Sequence, residues 1–500
     1  MAEPVEKPID EPLDRWGGWG GWRGWKAPEY LKRGSGPNDL RLVAGSAVLG
    51  LVVAVGAVLA AGPWDSGQRK AERDRAAVLQ RAGGVHHEGA DAGGPEPAAS
   101  APAVLGALGT TTGLTAPAGA GDLEGALGPL LDTPALGSVS TAVVVDAATG
   151  KQLYARGAAT PMTPASTVKI ATAAAALSAL GPAHRIPTKV TLSPDARTLT
   201  LVGGGDPTLD KADLRALASD TARSLGKAGA GPLRLAYDTS RYTGPALHPI
   251  GPNENIAPVS ALMADEGRLD KSDHGPAARS DDPAGDAART FAGLLDDAGV
   301  ATRSDPASGR APADGRTVAT HLSKPLSALV ERALTNSDND IAEALARQTA
   351  LKAGEPASFA GSRRAVTARL KALGLPLGGA RLADGSGLDR EDKVTAGLLA
   401  RLLALAAGPD HPELRPVLTG LPVAGFSGTL GGRYTATSPA TGVIRAKTGT
   451  LTGVNTLAGT TVDAQGRLLT FAFLASGTAS AGDAEDSLDA LATALTRGTR

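Results

Sequence analysis

The sequence predicts a mixed α/β (α+β) fold, an antiparallel sheet with a helical region. Strand-like runs stand at both ends of the region from 123 onward, at 140–146 and 151–154 and again at 454–462 and 467–475, with helical patterns between. A sheet of this kind is completed by the first and last segments of that region. An alanine-rich run, 171–177, follows Ser166 and Lys169. High helix propensity with little bulk suits a helix at the centre of a domain, with neighbours packed close.

The 500 residues suggest roughly two to four domains. With 50 basic and 51 acidic residues the formal charge is −1, so no nucleic-acid partner is implied. No cysteine is present, which removes disulfides, thiol catalysis and cysteine metal sites. The histidines form no metal-spaced cluster, and His86 and His87 sit in a polar Gly-rich stretch. Neither a metal nor a cofactor is expected.

Residues 1–41 are polar and rich in Gly and Pro, with Trp16, Trp19, Trp22 and Trp25 separated mainly by glycine. They read as a low-complexity tail, with an interfacial anchor as the alternative. Residues 42–62 carry no charge and are long enough to span a bilayer as a helix. A transmembrane signal anchor is expected; a cleaved signal ending near Ala60 is the alternative. Flanking basic residues balance on the two sides, so charge does not orient the span. Residues 63–122 are expected to be a flexible linker, Ala/Gly/Pro-rich over much of their length.

From 123 the elements follow in order. The runs 140–146 and 151–154 flank Ala147-Ala148-Thr149-Gly150 as a hairpin. Pro164 breaks the chain before a helix beginning near Ser166. Strands are expected at 188–192, 198–202 and 233–237, with a turn at 203–207 (GGGDP). Residues 270–286 are polar, and 287–298 looks helical. Leu326, Leu329, Val330 and Ala333 mark one helix face; Ile341, Ala342 and Leu345 begin another. Val366, Leu370 and Leu373 mark a third, stopped at Gly374, and 395–407 is a Leu/Ala-rich helix. Residues 384–388 (DGSGL) form a turn, read equally as bordering a site or as plain surface. Leu488, Leu491 and Leu495 mark a closing helix.

Three stretches carry chemistry. A lysine three residues after a serine on a helix shares its face, so Lys169 reaches Ser166. Held neutral, it can take the hydroxyl proton and activate a poor nucleophile. Ser337-Asp338-Asn339 lies in an inter-helix turn, and Lys447-Thr448-Gly449-Thr450 in a strand-like run. S-x-x-K, S-D-N and K-T-G, in that order, match the motif set of class A β-lactamases and penicillin-binding proteins. The inferred reaction is acyl transfer through a serine ester. Ser166 attacks an amide carbonyl, and burial and the nearby Lys447 cation favour neutral Lys169. Ser337 passes the proton to the leaving nitrogen. Asn339 orients Lys169 and binds substrate. Lys447 and Thr448 suit a terminal carboxylate, and Gly449 lets the strand approach substrate. The backbone N–H groups of Ser166 and Thr450 form the oxyanion hole.

Roughly residues 138–480 resemble the D-Ala-D-Ala carboxypeptidase/endopeptidase family, the class C low-molecular-mass penicillin-binding proteins. Beyond the three motifs the likeness rests on MTPAS (162–166), the 203–207 turn, ADGSGL (383–388), LPVAG (421–425) and TLTGV (450–454). The resemblance implies a β-lactamase/transpeptidase-like catalytic domain, 123–185 and 320–500, interrupted by a smaller β-rich inserted domain, 186–319. It implies cleavage of D-Ala-D-Ala termini and of cross-links in peptidoglycan stem peptides, covalent acylation by β-lactams, and an extracytoplasmic site. That location puts tail 1–41 in the cytoplasm. The interval from Ser166 to Ser337 is shorter than the family's usual insertion, which leaves endopeptidase preference open. A serine β-lactamase and a non-catalytic wall-binding or β-lactam-sensing protein remain the alternatives.

Overall fold

A computed structural model of the chain describes residues 120–226 and 232–496. The expected tail (1–41), the span (42–62) and nearly all of the linker (63–122) lie outside the described residues. Among the described residues no helix is long and apolar enough to cross a membrane.

The described chain opens with α1 (Ala120–Leu131), β1 (Val139–Asp146) and β2 (Gln152–Arg156). A 3-10 turn (Ala165–Val168) leads into α2 (Lys169–Leu180). Then come β3 (Pro187–Leu192), β4 (Thr198–Val202), α3 (Lys211–Leu225), β5 (Leu233–Asp238), α4 (Pro283–Asp297), β6 (Thr302–Ser308) and β7 (Arg316–Leu322). Helices α5 (Leu326–Thr335), α6 (Asn339–Lys352), α7 (Phe359–Ala372), α8 (Ala396–Ala407) and α9 (Arg415–Thr419) follow. The chain closes with β8 (Arg445–Leu451), β9 (Val454–Val462), β10 (Leu468–Ser476) and α10 (Ala481–Thr496).

The first sheet has the order β2-β1-β10-β9-β8 and is antiparallel throughout. Strands from both ends of the folded region meet where β1 lies along β10, Val143 opposite Ala472. Successive side chains of a strand point to opposite faces, so β1 serves two cores. Val143 and Val145 enter the core of α2, α5, α6 and α8, while Ala142 and Val144 enter the one holding α1 and α10. That double burial explains why β1 reads as a continuous apolar run rather than an alternating one. Helix α2 is buried from Lys169 to Leu177, and its small residues admit α5, α6, α7 and α8 at close range.

The second sheet has the order β6-β5-β4-β3-β7. β3 pairs antiparallel with β4 and β7, whereas β4/β5 and β5/β6 are parallel. Parallel neighbours need crossovers. Helices α3 and α4 provide them, packing Leu214, Leu217, Phe291 and Leu295 against Val190, Leu199, Leu201 and Leu235. The region between α2 and α5 is therefore α/β rather than simply β-rich, and β7 runs on to Leu322, past the expected junction at 319/320. β6 is a mostly exposed edge strand of sequence TRSDPAS, without the apolar alternation that would mark it.

Candidate active site

The turn that carries Ser166 is held from three directions. Ala165 adopts φ +47°, a left-handed conformation that side chains disfavour. Thr167 Oγ1 and Thr456 Oγ1 both donate to the Pro164 carbonyl, at 2.7 and 2.8 Å. Two glycines close on the same backbone. A Cβ on Gly387 would lie 2.0 Å from the Ala165 oxygen. One on Gly449 would lie 2.7 Å from the Pro164 oxygen and 2.3 Å from Thr456 Oγ1. The open side of Gly449 thus faces the turn that carries Ser166.

Lys169 Nζ has three partners: Ser166 Oγ at 2.8 Å, Asn339 Oδ1 at 2.7 Å and the Ser386 carbonyl at 2.5 Å. Asn339 Nδ2 donates to the Asn255 carbonyl at 2.9 Å, which fixes the amide with its oxygen toward the amine. Burial brings the Lys169 pKa down to about 8, against the pull of Asp384, Asp338, Glu343 and Asp392. Lys447 is also buried, and its Nζ donates to the Thr448 carbonyl at 2.8 Å. Burial and then the Lys169 charge hold its pKa well below the ordinary value. The sequence suggested burial and Lys447 as the two causes at Lys169; burial is the leading one there, and the interaction between the two lysines acts at Lys447.

Ser337 lies in the α5–α6 turn at φ +60°, a second left-handed non-glycine residue at the site. Asp338 caps α6 by accepting from Ile341 N at 2.9 Å, which aims Asn339 inward. The cleft has a volume of about 430 Å³, and its lining includes Ser166, Ser337, Asn339, Thr448, Thr450 and Arg433. Thr448 Oγ1 donates to Thr429 Oγ1, and Thr450 Oγ1 to Glu485 Oε1. Arg433 donates to both carboxylate oxygens of Asp489, at 3.0 and 2.6 Å. The structure therefore gathers Ser166, Lys169, Ser337, Asn339, Thr448, Gly449 and Thr450 at one cleft, with Lys447 buried in the cleft-side strand β8.

Sequence reasoning missed the second layer. The 384–388 turn is buried and supplies the Ser386 carbonyl. Glu343 Oε1 accepts from Gly385 N and Ser386 N, and His248 Nε2 meets Asp384 Oδ2 at 2.9 Å. The DGSGL turn was a visible signal; neither His248 nor Glu343 had one. His248, Glu343 and Asp384 form one group of metal-ligand type, and Glu266, Asp338 and Asp340 another. In the first, His248 pairs with Asp384, while Glu343 is taken up by the backbone of the turn and by Arg347. The second is bridged by arginines: Arg268 Nε to Glu266 at 3.0 Å, Arg279 Nη1 to Asp340 at 2.8 Å, and Arg332 to Glu266.

A serine with a buried lysine at hydrogen-bond distance, beside a K-T-G strand and an S-D-N turn, defines an active-site-serine acyl-transfer enzyme. The model of the D-Ala-D-Ala carboxypeptidase 3 (S13) family matches residues 123–274 and 269–497. The chain belongs to this family and is a serine-type D-Ala-D-Ala carboxypeptidase of the penicillin-binding class. A carboxypeptidase of Mycobacterium tuberculosis is 38% identical over 434 residues, 82% of this chain and 91% of that protein. Carboxypeptidase DacB of Mycolicibacterium smegmatis is 38% identical over 390 residues, 75% of this chain and 83% of its own. The crystal structure of penicillin binding protein 4 from Haemophilus influenzae shares the fold, with a TM-score of 0.62 at 24% identity over 75% of this chain and 98% of that one.

Proposed function

We propose that Ser166 is the nucleophile and Lys169 its general base in cleaving the D-Ala-D-Ala bond of peptidoglycan stem peptides. The observation that carries this is the set of partners around Lys169 Nζ. A neutral amine has two N–H donors and one lone pair. Asn339 Oδ1 and the Ser386 carbonyl can only accept, so they take both donors. The lone pair is left for the Ser166 hydroxyl at 2.8 Å.

Ser166 Oγ gives its proton to Lys169 and bonds to the carbonyl carbon of the penultimate residue. The backbone N–H groups of Ser166 and Thr450 receive the developing oxyanion. Ser337 relays the proton to the leaving amine as the C–N bond breaks. Water, deprotonated by Lys169, then cleaves the ester and regenerates Ser166. Thr448 and Thr450 bind the terminal carboxylate from the cleft wall, with Lys447 beneath supporting the strand. The same serine opens the β-lactam ring and keeps the acyl group; the Haemophilus influenzae protein has been crystallised with a β-lactam. Cross-link hydrolysis is a second activity of the same step.

Residues 42–62 tether the chain to the cytoplasmic membrane as a single-pass anchor, with the catalytic region outside. The uncharged run followed by a linker composition supports this. Mature protein from cells that begins near Ala61 would replace the anchor by a cleaved signal. For the catalytic reading, the chain is incubated with a D-Ala-D-Ala peptide and with penicillin, and both are followed by mass spectrometry. Release of D-Ala and a stable penicilloyl adduct on Ser166 are expected. Rapid turnover of penicillin would favour a β-lactamase, and labelling of Ser166→Ala at another serine would overturn the nucleophile.

A further inference from the structure

The wall proposed to bind the terminal carboxylate already holds a carboxylate of the protein's own. Thr450 Oγ1, on β8, donates to Glu485 Oε1 at 2.8 Å. The other carboxylate oxygen, Oε2, lies 3.8 Å from Arg433 Nη1. Thr450, Glu485 and Arg433 all line the cleft that contains Ser166 and Thr448. Glu485 reaches it from α10, and its side chain is partly exposed.

A hydroxyl beside a guanidinium is an arrangement that receives a carboxylate. Here both groups are engaged. The Thr450 hydroxyl has one proton, and an ionised carboxylate can only accept, so that proton is committed to Glu485. Arg433 directs Nε and Nη2 to Asp489, at 3.0 and 2.6 Å, and Nη2 also donates to the Glu485 carbonyl at 3.1 Å. Its remaining nitrogen, Nη1, is the one near the Glu485 carboxylate. The other arginines that line the cleft, Arg268 and Arg279, are paired with Glu266 and Asp340. Lys447 is buried and donates to the Thr448 carbonyl.

A substrate carboxylate arriving at Thr450 meets one of two situations. If Glu485 stays, two like charges face a single hydroxyl proton. If Glu485 swings into solvent, its bond to Thr450 and its place near Arg433 are lost before the substrate replaces them. Both cases disfavour a leaving group with a free carboxylate. A leaving group without that charge lets Glu485 keep its partners.

We infer that Glu485 is a specificity-determining residue of the cleft: it occupies the place of the substrate's terminal carboxylate and discriminates against leaving groups that carry one, in favour of those in which it is capped. This rests on the carboxylate role proposed for Thr450. Glu485 does not touch the reacting atoms. It acts on the leaving-group side through competition for one donor and through charge, and so bears on the balance between carboxypeptidase and endopeptidase activity that the sequence leaves open.

The test compares kcat/KM for a D-Ala-D-Ala peptide and for the same peptide with a C-terminal amide, in wild type, Glu485→Gln and Glu485→Ala, with folding checked by circular dichroism. Both peptides leave the same acyl group on the enzyme, so a difference between them arises before the leaving group departs. Glutamine keeps an acceptor for Thr450 but removes the charge. Alanine removes both and suits a helix, so it serves if the glutamine variant does not fold. Either variant should raise kcat/KM for the acid peptide about fivefold and leave the amide peptide unchanged. Asp483→Asn, at an exposed carboxylate of the same helix, should change neither. No gain for the acid peptide, a loss for it, an equal gain for both peptides, or the same gain in Asp483→Asn overturns the inference. Two other results would fall on the underlying reading instead. Equal losses for both peptides in Thr450→Val would remove the carboxylate role of Thr450. Wild type that neither releases D-Ala nor is acylated by penicillin would overturn the acyl-transfer site.

Discussion

Asn339 Oδ1 accepts from Lys169 Nζ at 2.7 Å, although 170 positions separate the two residues. This contact joins the S-D-N turn to the S-x-x-K helix and takes one of the two donors of the neutral amine. Its partner at the other donor, the Ser386 carbonyl, belongs to neither motif. The Lys169 amine is thus oriented by one motif residue and one buried turn.

The pH profile of acylation follows from the burial of Lys169. Its pKa lies at about 8 rather than 10.5. Only the neutral amine accepts the Ser166 proton, so acylation should rise with pH through about 8. Stopped-flow measurement with a chromogenic β-lactam checks this. A limb near the ordinary lysine value would show that the amine is not desolvated.

Gly449→Ala should damage both stability and acylation. The added Cβ would meet Thr456 Oγ1 at 2.3 Å and the Pro164 oxygen at 2.7 Å, so β8 must withdraw from the nucleophile turn. Overpacking of this kind costs about 1–3 kcal/mol. A lowered melting temperature and slower acylation are expected together. A fully stable variant with wild-type acylation would show that the strand has room.

Lys447→Met should leave the rising limb of the acylation profile where it is, even where the rate falls. Burial and the Lys169 charge hold Lys447 well below its ordinary pKa. At Lys169 itself burial is the leading cause of the lowered pKa, and the neighbouring charges that act on it are carboxylates. An upward shift of the limb in this variant would restore Lys447 as the tuning charge.

Glu266 makes stability depend on pH. Burial and then the Asp338 charge raise its pKa from 4.5 to about 8, in spite of Arg332. Between these values the folded state holds a proton that the unfolded state has released. Its contribution is therefore fully present below the unfolded pKa and is lost as pH rises through the folded one. Glu266→Gln should flatten this decline between about pH 5 and pH 8. Melting temperatures of both proteins across that window check it; parallel curves would assign the decline to other groups.

Local chemistry made much of the catalytic constellation legible in the sequence. Ser166 and Lys169 share a helical face by spacing alone, and the strands around 140–146 and 454–475 announce themselves by composition. Ser337 and Asn339 could be placed in a turn because helical patterns flank them. Tertiary packing decided the rest. Strand β6 is polar and half-solvated, so no periodicity marks it; its partner β5 makes it a strand. Gly449 faces Pro164 because β8 packs on the nucleophile turn. Lys447 is buried behind β8 rather than exposed in the cleft. His248 accepts from Ile250 N at 3.3 Å within its own stretch, but finds Asp384 only after folding. The physical reason is common to these cases. Spacing along one helix or strand decides which side chains share a face. The charge a group carries depends on how completely water is removed from it and on which ions stand nearby, and both are set by residues far away in the chain.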